Sequence, residues 1–269
     1  MQFAWRDGSP PSSFFAEDGE HWYWPMHGVR TPDGPLVIFL SRVRATPGDG
    51  LGFAVDGYAA VRIADPSGPP AAWVIEPLAT NPVPGAPEAT VGNCTIVEGS
   101  DLYAMSVDGA HAGRMARFSL AALAAGDLSS PSWDTPQGFQ PEAELTEAPS
   151  IVLEDASTEC SLGVGDGGYS YVHVASHGFG ASTIGFRESQ WIGDFFYGPI
   201  DVFTPPESSG EQPFVYAAKA HPHLACGKDG RFLVTYVDNS FRFEDLLDPA
   251  REQTLYWPKF VRVRFRFDC

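Results

Sequence analysis

Apolar and polar residues alternate with a period of two along most of this chain. The run Leu36–Leu40 (LVIFL) follows the turn TPDGP at 31–35, and Asp101–Val107 (DLYAMSV) follows Glu98-Gly-Ser. Tyr169–Ala175 (YSYVHVA) follows Asp166-Gly-Gly, and Arg231–Val237 (RFLVTYV) follows Lys228-Asp-Gly. Each predicts a buried strand reached through a Gly-containing turn, which is a hairpin pattern. Helical patterns are scarce. Ser119–Ala125 predicts two turns ending at Gly126, and Phe243–Asp248 predicts one.

A second strand precedes each hairpin turn, and it carries one polar residue among small or apolar ones. These strands are Tyr23–Gly28, Val91–Ile96, Ser157–Leu162 and Tyr216–His221. Their polar markers, His27, Asn93, Glu159 and Lys219, are 66, 66 and 60 residues apart. A repeat of this length built from strands is the spacing of propeller blades, each a four-stranded antiparallel sheet. The fold class expected is therefore all-β, a β-propeller with four recognisable blades starting near 23, 91, 157 and 216, in a single domain over 1–269. An evenly spaced β-sandwich is the competing reading. Further strands are expected at Tyr58–Ile63 and Thr183–Arg187. Trp73, Trp133 and Trp191 recur late in their units and are expected to cap blade packing. The segment 258–267 places Arg262, Arg264 and Arg266 on one face of a strand. That strand is expected to close a blade with N-terminal residues near Phe3–Phe15, or to be an edge strand guarded by its arginines.

Composition supports this reading and removes several functions. Gly and Pro number 28 and 24 of 269 residues, so turns are over-supplied. Hydrophobic residues make 43%, enough for a core, and the net charge is −17. An acidic surface argues against nucleic-acid and anionic-membrane partners. No apolar run approaches the roughly 18–20 residues of a membrane span, so membrane insertion is not expected. The N-terminus shows no signal peptide, which leaves localisation open: extracellular if the chain is truncated there, otherwise cytoplasmic. Cys94, Cys160, Cys226 and Cys269 form no CxxC pair and read as reduced, partly buried thiols.

Trp22–Gly28 (WYWPMHG), Phe39–Val43, Ala156–Ser161 (ASTECS), Tyr216–Pro222 (YAAKAHP), Asn239–Phe241 and the closing Phe260–Val263 resemble a known family. It comprises the bacterial five-bladed β-propellers long catalogued as a domain of unknown function, some of which are endo-D-arabinanases. The resemblance covers nearly the whole chain and implies a propeller acting on a furanosyl, arabinan-type polysaccharide. It also implies an opening blade ahead of Trp5, supplying an aspartate as nucleophile or base, with no visible counterpart here. The family often has an acidic residue where this chain has His27. A fragmentary chain or a divergent member with weakened activity would account for both departures.

In a propeller the first strand of every blade lines the channel, so polar residues remote in sequence are expected to converge. Glycoside hydrolysis needs a protonated carboxyl at the leaving oxygen and a second carboxylate. Glu159 is the acid candidate, with Lys219 and His221 completing the catalytic set. Trp24, His27, Asn93, Tyr216, His223 and Asn239 are the substrate-binding candidates, with Trp24 and Tyr216 offering flat faces to a sugar ring. Asp155 is the nearest second carboxylate in sequence. A Glu159–Lys219 ion pair and structural roles for His27 and His221 are the competing readings. A channel metal lacks a spacing motif, and no metal or cofactor is expected. The alternative function is a non-catalytic propeller that binds glycan or protein.

Overall fold

The computed structural model describes residues 13–32, 34–48, 51–165, 170–221, 224, 231–248, 251 and 254–264. It divides into two units, Met1–Ala156 and Ser157–Cys269. In the first unit, β1 (His21–Arg30), β2 (Leu36–Ala45), β3 (Phe53–Ile63) and β4 (Glu76–Leu78) form one antiparallel sheet in that order. A second sheet follows, with β5 (Thr90–Glu98), β6 (Asp101–Val107), β7 (Gly113–Ser119), β8 (Ser132–Trp133) and β9 (Gln140–Pro141). The second unit holds the sheet β10 (Cys160–Val164), β11 (Tyr171–His177), β12 (Thr183–Ser189) and β13 (Tyr197–Phe203). Its other sheet comprises β14 (Val215–Ala220), β15 (Arg231–Asp238) and β16 (Lys259–Arg264). These four antiparallel meanders, two in each unit, are blades of an all-β propeller fold.

The turns explain the hairpins. Glu98 pairs with Asp101 across a two-residue loop in which Gly99 takes φ +60°. Two-residue hairpin loops need positive φ, and glycine supplies it without steric cost. The single α-helix among the described residues, α1 (Leu120–Ala125), buries Leu120 and Leu123 and stops at Gly126, which is left-handed at φ +82°. This ending is the usual one for a helix with glycine just past its last turn.

Polar markers coincide with irregularities in three of the four first strands. Register shifts fall between Pro25 and Gly28 in β1, between Val91 and Thr95 in β5, and between Tyr216 and Lys219 in β14. Bulges re-aim side chains out of the pleat. In β5 the left-handed residue is Gly92, at φ +92°, where a Cβ would lie 2.4 Å from the Phe39 Cβ. In β14 it is Ala217, at φ +58°.

Each unit has its own core. The first is built on Val37, Phe39, Val91, Leu102, Phe118, Leu123 and Trp133. The second is built on Val172, Val174, Ile184, Phe186, Val215, Val234, Tyr236 and Val263. Burying each large apolar side chain contributes about 1.5–3 kcal/mol.

Some elements depart from expectation. Glu159 lies one residue ahead of β10, not inside it, because Ser157 forms a local turn. Its hydroxyl donates to the Glu159 carbonyl at 3.0 Å and accepts the Glu159 N–H at 3.3 Å. The segment at Phe243–Leu247 is a 3₁₀ turn. Of the three tryptophans, only Trp133 is fully buried in a core, and its Nε1 donates to Glu142 Oε2 at 2.9 Å. Trp73 is half-buried, and Trp191 is 65% exposed in the turn after β12. The closing strand β16 pairs with β15, with Val261 opposite Val234 and Val263 opposite Phe232. Residues 3–12 of its expected N-terminal partner lie outside the described residues, while Phe15 packs on Leu40 and Val61.

Candidate functional site

The second unit brings Glu159, Lys219, Tyr216 and Asn239 together. Backbone ties set this arrangement. Ser161 Oγ accepts the Ala220 N–H at 2.7 Å, and Ser176 Oγ accepts the Ala218 N–H at 3.2 Å. The two amides flanking Lys219 are thereby fastened to β10 and β11, and the ammonium acts on Glu159. Burial raises the Glu159 carboxyl above the ordinary glutamate range, Lys219 draws it back, and the neighbouring Cys160 thiol raises it further. Desolvation penalises the charged carboxylate, so a buried glutamate keeps its proton to higher pH.

Tyr216 is half-buried on the same strand. Its hydroxyl accepts from Asn239 Nδ2 at 3.2 Å and is hydrogen-bonded to Tyr256. Burial, Tyr256 and the nearby Glu159 raise its pKa, with Asn239 acting the other way, so the phenol stays neutral. His221 Nε2 is 2.7 Å from Thr235 Oγ1, a contact that orients the ring. His223 lies outside the described residues.

In the first unit, Trp24 is 41% exposed and meets Phe53 edge-on at 4.7 Å and Trp22 at 6.4 Å. His27 is half-buried at the β1 bulge. Asn93 is 1% exposed, and its Oδ1 accepts from Thr90 Oγ1 at 2.8 Å. Asp155 is exposed with φ +51°. Cys94 and Cys160 are fully buried and outside any disulfide, as expected of small packing residues. Cys226 and Cys269 lie outside the described residues.

Two titratable clusters escape the sequence reading. In the second unit the Tyr236 hydroxyl donates to Glu207 Oε2 at 3.0 Å. Lys259 Nζ is 3.8 Å from both Glu207 and Asp238. Burial raises Asp238, Lys259 opposes this, and Glu207 adds to it. In the first unit His21 bridges two carboxylates, with Nε2 2.9 Å from Asp56 Oδ2 and Nδ1 3.1 Å from Asp18 Oδ1. The Tyr23 hydroxyl donates to Asp18 at 2.9 Å. The first cluster joins three separate stretches of chain and the second joins two, so no spacing motif announces either.

Four antiparallel blades define a class, the propeller proteins, and the second unit groups Glu159, its pKa raised by burial, with Lys219, Tyr216 and Asn239. Residues 10–265 match a domain of unknown function, DUF5005, and the chain belongs to that family. No curated protein matches it in sequence. Among solved structures it is similar to a proposed hydrolase from Bacteroides ovatus ATCC 8483, with 18% identity and a TM-score of 0.67. That match covers 91% of this chain and 61% of the Bacteroides protein, so the chain spans under two thirds of its length. This likeness is one of fold. An endo-1,5-α-L-arabinanase from Thermotoga petrophila superimposes with a TM-score of 0.44 at 9% identity, over 81% of this chain and 53% of that one. Bacillus subtilis arabinanase Arb43A does so at 0.44 and 10%, over 86% and 70%.

Proposed function

We propose that this protein is a glycoside hydrolase of the propeller type acting on a furanosyl, arabinan-type polysaccharide, with Glu159 as general acid. The reading treats residues 1–269 as one propeller domain. One observation carries it: the Glu159 carboxyl is raised by burial beside Lys219 and Tyr216. A carboxyl raised in this way keeps its proton to higher pH than an ordinary glutamate and can deliver it to the leaving glycosidic oxygen. Lys219 limits the rise and can hold a substrate hydroxyl. His221, steadied by Thr235, completes the set. The second carboxylate attacks the anomeric carbon or activates water. Asp238, a half-buried carboxyl within the unit that holds Glu159, is its candidate.

A glycan-binding propeller without catalysis is the second reading. It is favoured by the exposed aromatic rings of the second unit, among them Phe179, Trp191, Tyr197 and Phe241. The deciding assay is reducing-sugar release from linear arabinan by the wild type and Glu159→Gln. The amide is nearly isosteric but carries no transferable proton, so the rate is expected to fall about 10²–10⁴-fold. Equal rates would remove Glu159 from the mechanism. Binding without cleavage in both proteins would establish the second reading.

A further inference from the structure

The second unit carries a continuous ridge of rings. Phe214, one residue before β14, stacks on Phe241, which follows β15, with centroids 4.3 Å apart and planes within 3°. Phe179, in the β11–β12 connection, lies 5.9 Å from each of them. Phe179 is 72% exposed and Phe241 47%. Phe214 also stacks on Tyr216, at 5.0 Å and 25°. The ridge is therefore continuous: Glu159 acts on Tyr216, Tyr216 stacks on Phe214, and Phe214 contacts Phe241 and Phe179.

We propose that Phe179, Phe214 and Phe241 form a subsite that stacks a further ring of a neutral glycan chain whose reacting bond lies at Glu159. This rests on the reading of the Glu159 site as a glycan site. Three features identify the occupant. The rings come from three separate loops, and with Phe214 stacked between Phe241 and Tyr216, Phe179 and Phe241 are left exposed, so the patch is not the outside of a core. Hydrogen-bonding groups border it, namely the Tyr216 hydroxyl, the Asn239 amide and Tyr256. An apolar face with a polar rim matches a sugar ring, which shows C–H bonds on its face and hydroxyls at its edge. The net charge of −17 disfavours polyanionic chains, which leaves neutral ones.

The test is affinity electrophoresis in gels containing linear arabinan, with polygalacturonate as the anionic counterpart. The wild type is expected to be retarded by arabinan only. Phe179→Ala with Phe241→Ala should weaken that retardation about tenfold, the combined value of two ring contacts. Phe241→Trp should retain binding, and so should Phe260→Ala, which removes a comparably exposed ring of the same unit on β16. Unchanged thermal unfolding of the double variant shows that the loss is local. Wild-type retardation in the double variant would overturn the proposal. Equal retardation of the wild type by polygalacturonate would do the same, as would failure of the wild type to bind arabinan. Binding lost in the double variant while Glu159→Gln cleaves normally would keep the subsite and sink the acid assignment. The reverse pattern would keep the acid and sink the subsite.

Discussion

The two units are built from the same hairpins, yet they use their aromatic residues differently. Among the described residues of the first unit, Trp24 is the one aromatic side chain more than a third exposed. Its Phe39 and Trp133 are fully buried, and Tyr58 and Phe118 nearly so. The second unit exposes Phe179, Trp191, Phe195, Tyr197, Phe241, Tyr256, Trp257 and Phe260 to that degree. It also holds Glu159 and Asp238, half-buried carboxyls whose pKa values are raised by burial. A single repeat can thus present its aromatic side chains in two ways, buried in one unit and exposed in the other.

Paired truncations give the largest effect and test that contrast first. Phe39→Ala removes a ring with no exposed surface and is expected to cost about 3–5 kcal/mol. Phe179→Ala removes a ring 72% exposed and should stay within about 0.5 kcal/mol. Urea unfolding midpoints of the two variants decide the matter, and comparable losses would erase the distinction.

A smaller effect is expected at the β14 bulge. Ala217 holds φ +58°, which costs an L-residue about 1–2 kcal/mol that glycine does not incur. Glycine loses about 0.5–1 kcal/mol more entropy on folding, so Ala217→Gly should stabilise by roughly 0.5–1 kcal/mol. The looser bulge no longer fixes Tyr216 and Lys219, so arabinan cleavage should fall while the melting temperature rises. A variant that loses stability would show that Ala217 is not strained.

The smallest effect belongs to His21. Its hydrogen bond to Asp56 raises its pKa, partly offset by burial and supported by Asp18. A raised imidazole pKa gives stability that is complete below about 6.5 and lost as pH climbs through the folded value. Asp18 is held low chiefly by the His21 N–H, and Asp56 chiefly by the His21 ring. Their contributions are present above about 3.8 and vanish as pH falls. The cluster is therefore strongest between about pH 4 and 6.5. The wild-type melting temperature should decline slightly from pH 6 to 8 relative to His21→Gln. Parallel pH curves would contradict this.

Much of the fold was legible in the sequence because it depends on local pattern. The repeat of first strands at His27, Asn93, Glu159 and Lys219 located four sheets, and α1 ended at its glycine. The stretch that carries Glu159 was legible for the same reason, as the start of the third sheet. Its placement ahead of β10 was not, since the Ser157 turn competes locally with the strand. Phe179, Phe214 and Phe241 were invisible as a group. They sit in connections without periodicity, and only pairing of β14 with β15 and packing of β11 on β14 bring them together. The Glu207–Lys259–Asp238 cluster is likewise a product of tertiary contact.

Burial raises the pKa of Glu159, and Lys219 limits the rise. The most direct measurement is the pH profile of linear arabinan cleavage by the wild type and Lys219→Met. A general acid works only while it holds its proton, so activity falls on the alkaline side as pH rises through its pKa. Methionine removes the one charge that lowers the Glu159 pKa, so the account predicts an alkaline limb displaced to higher pH. A limb that stays in place, or moves to lower pH, would contradict it.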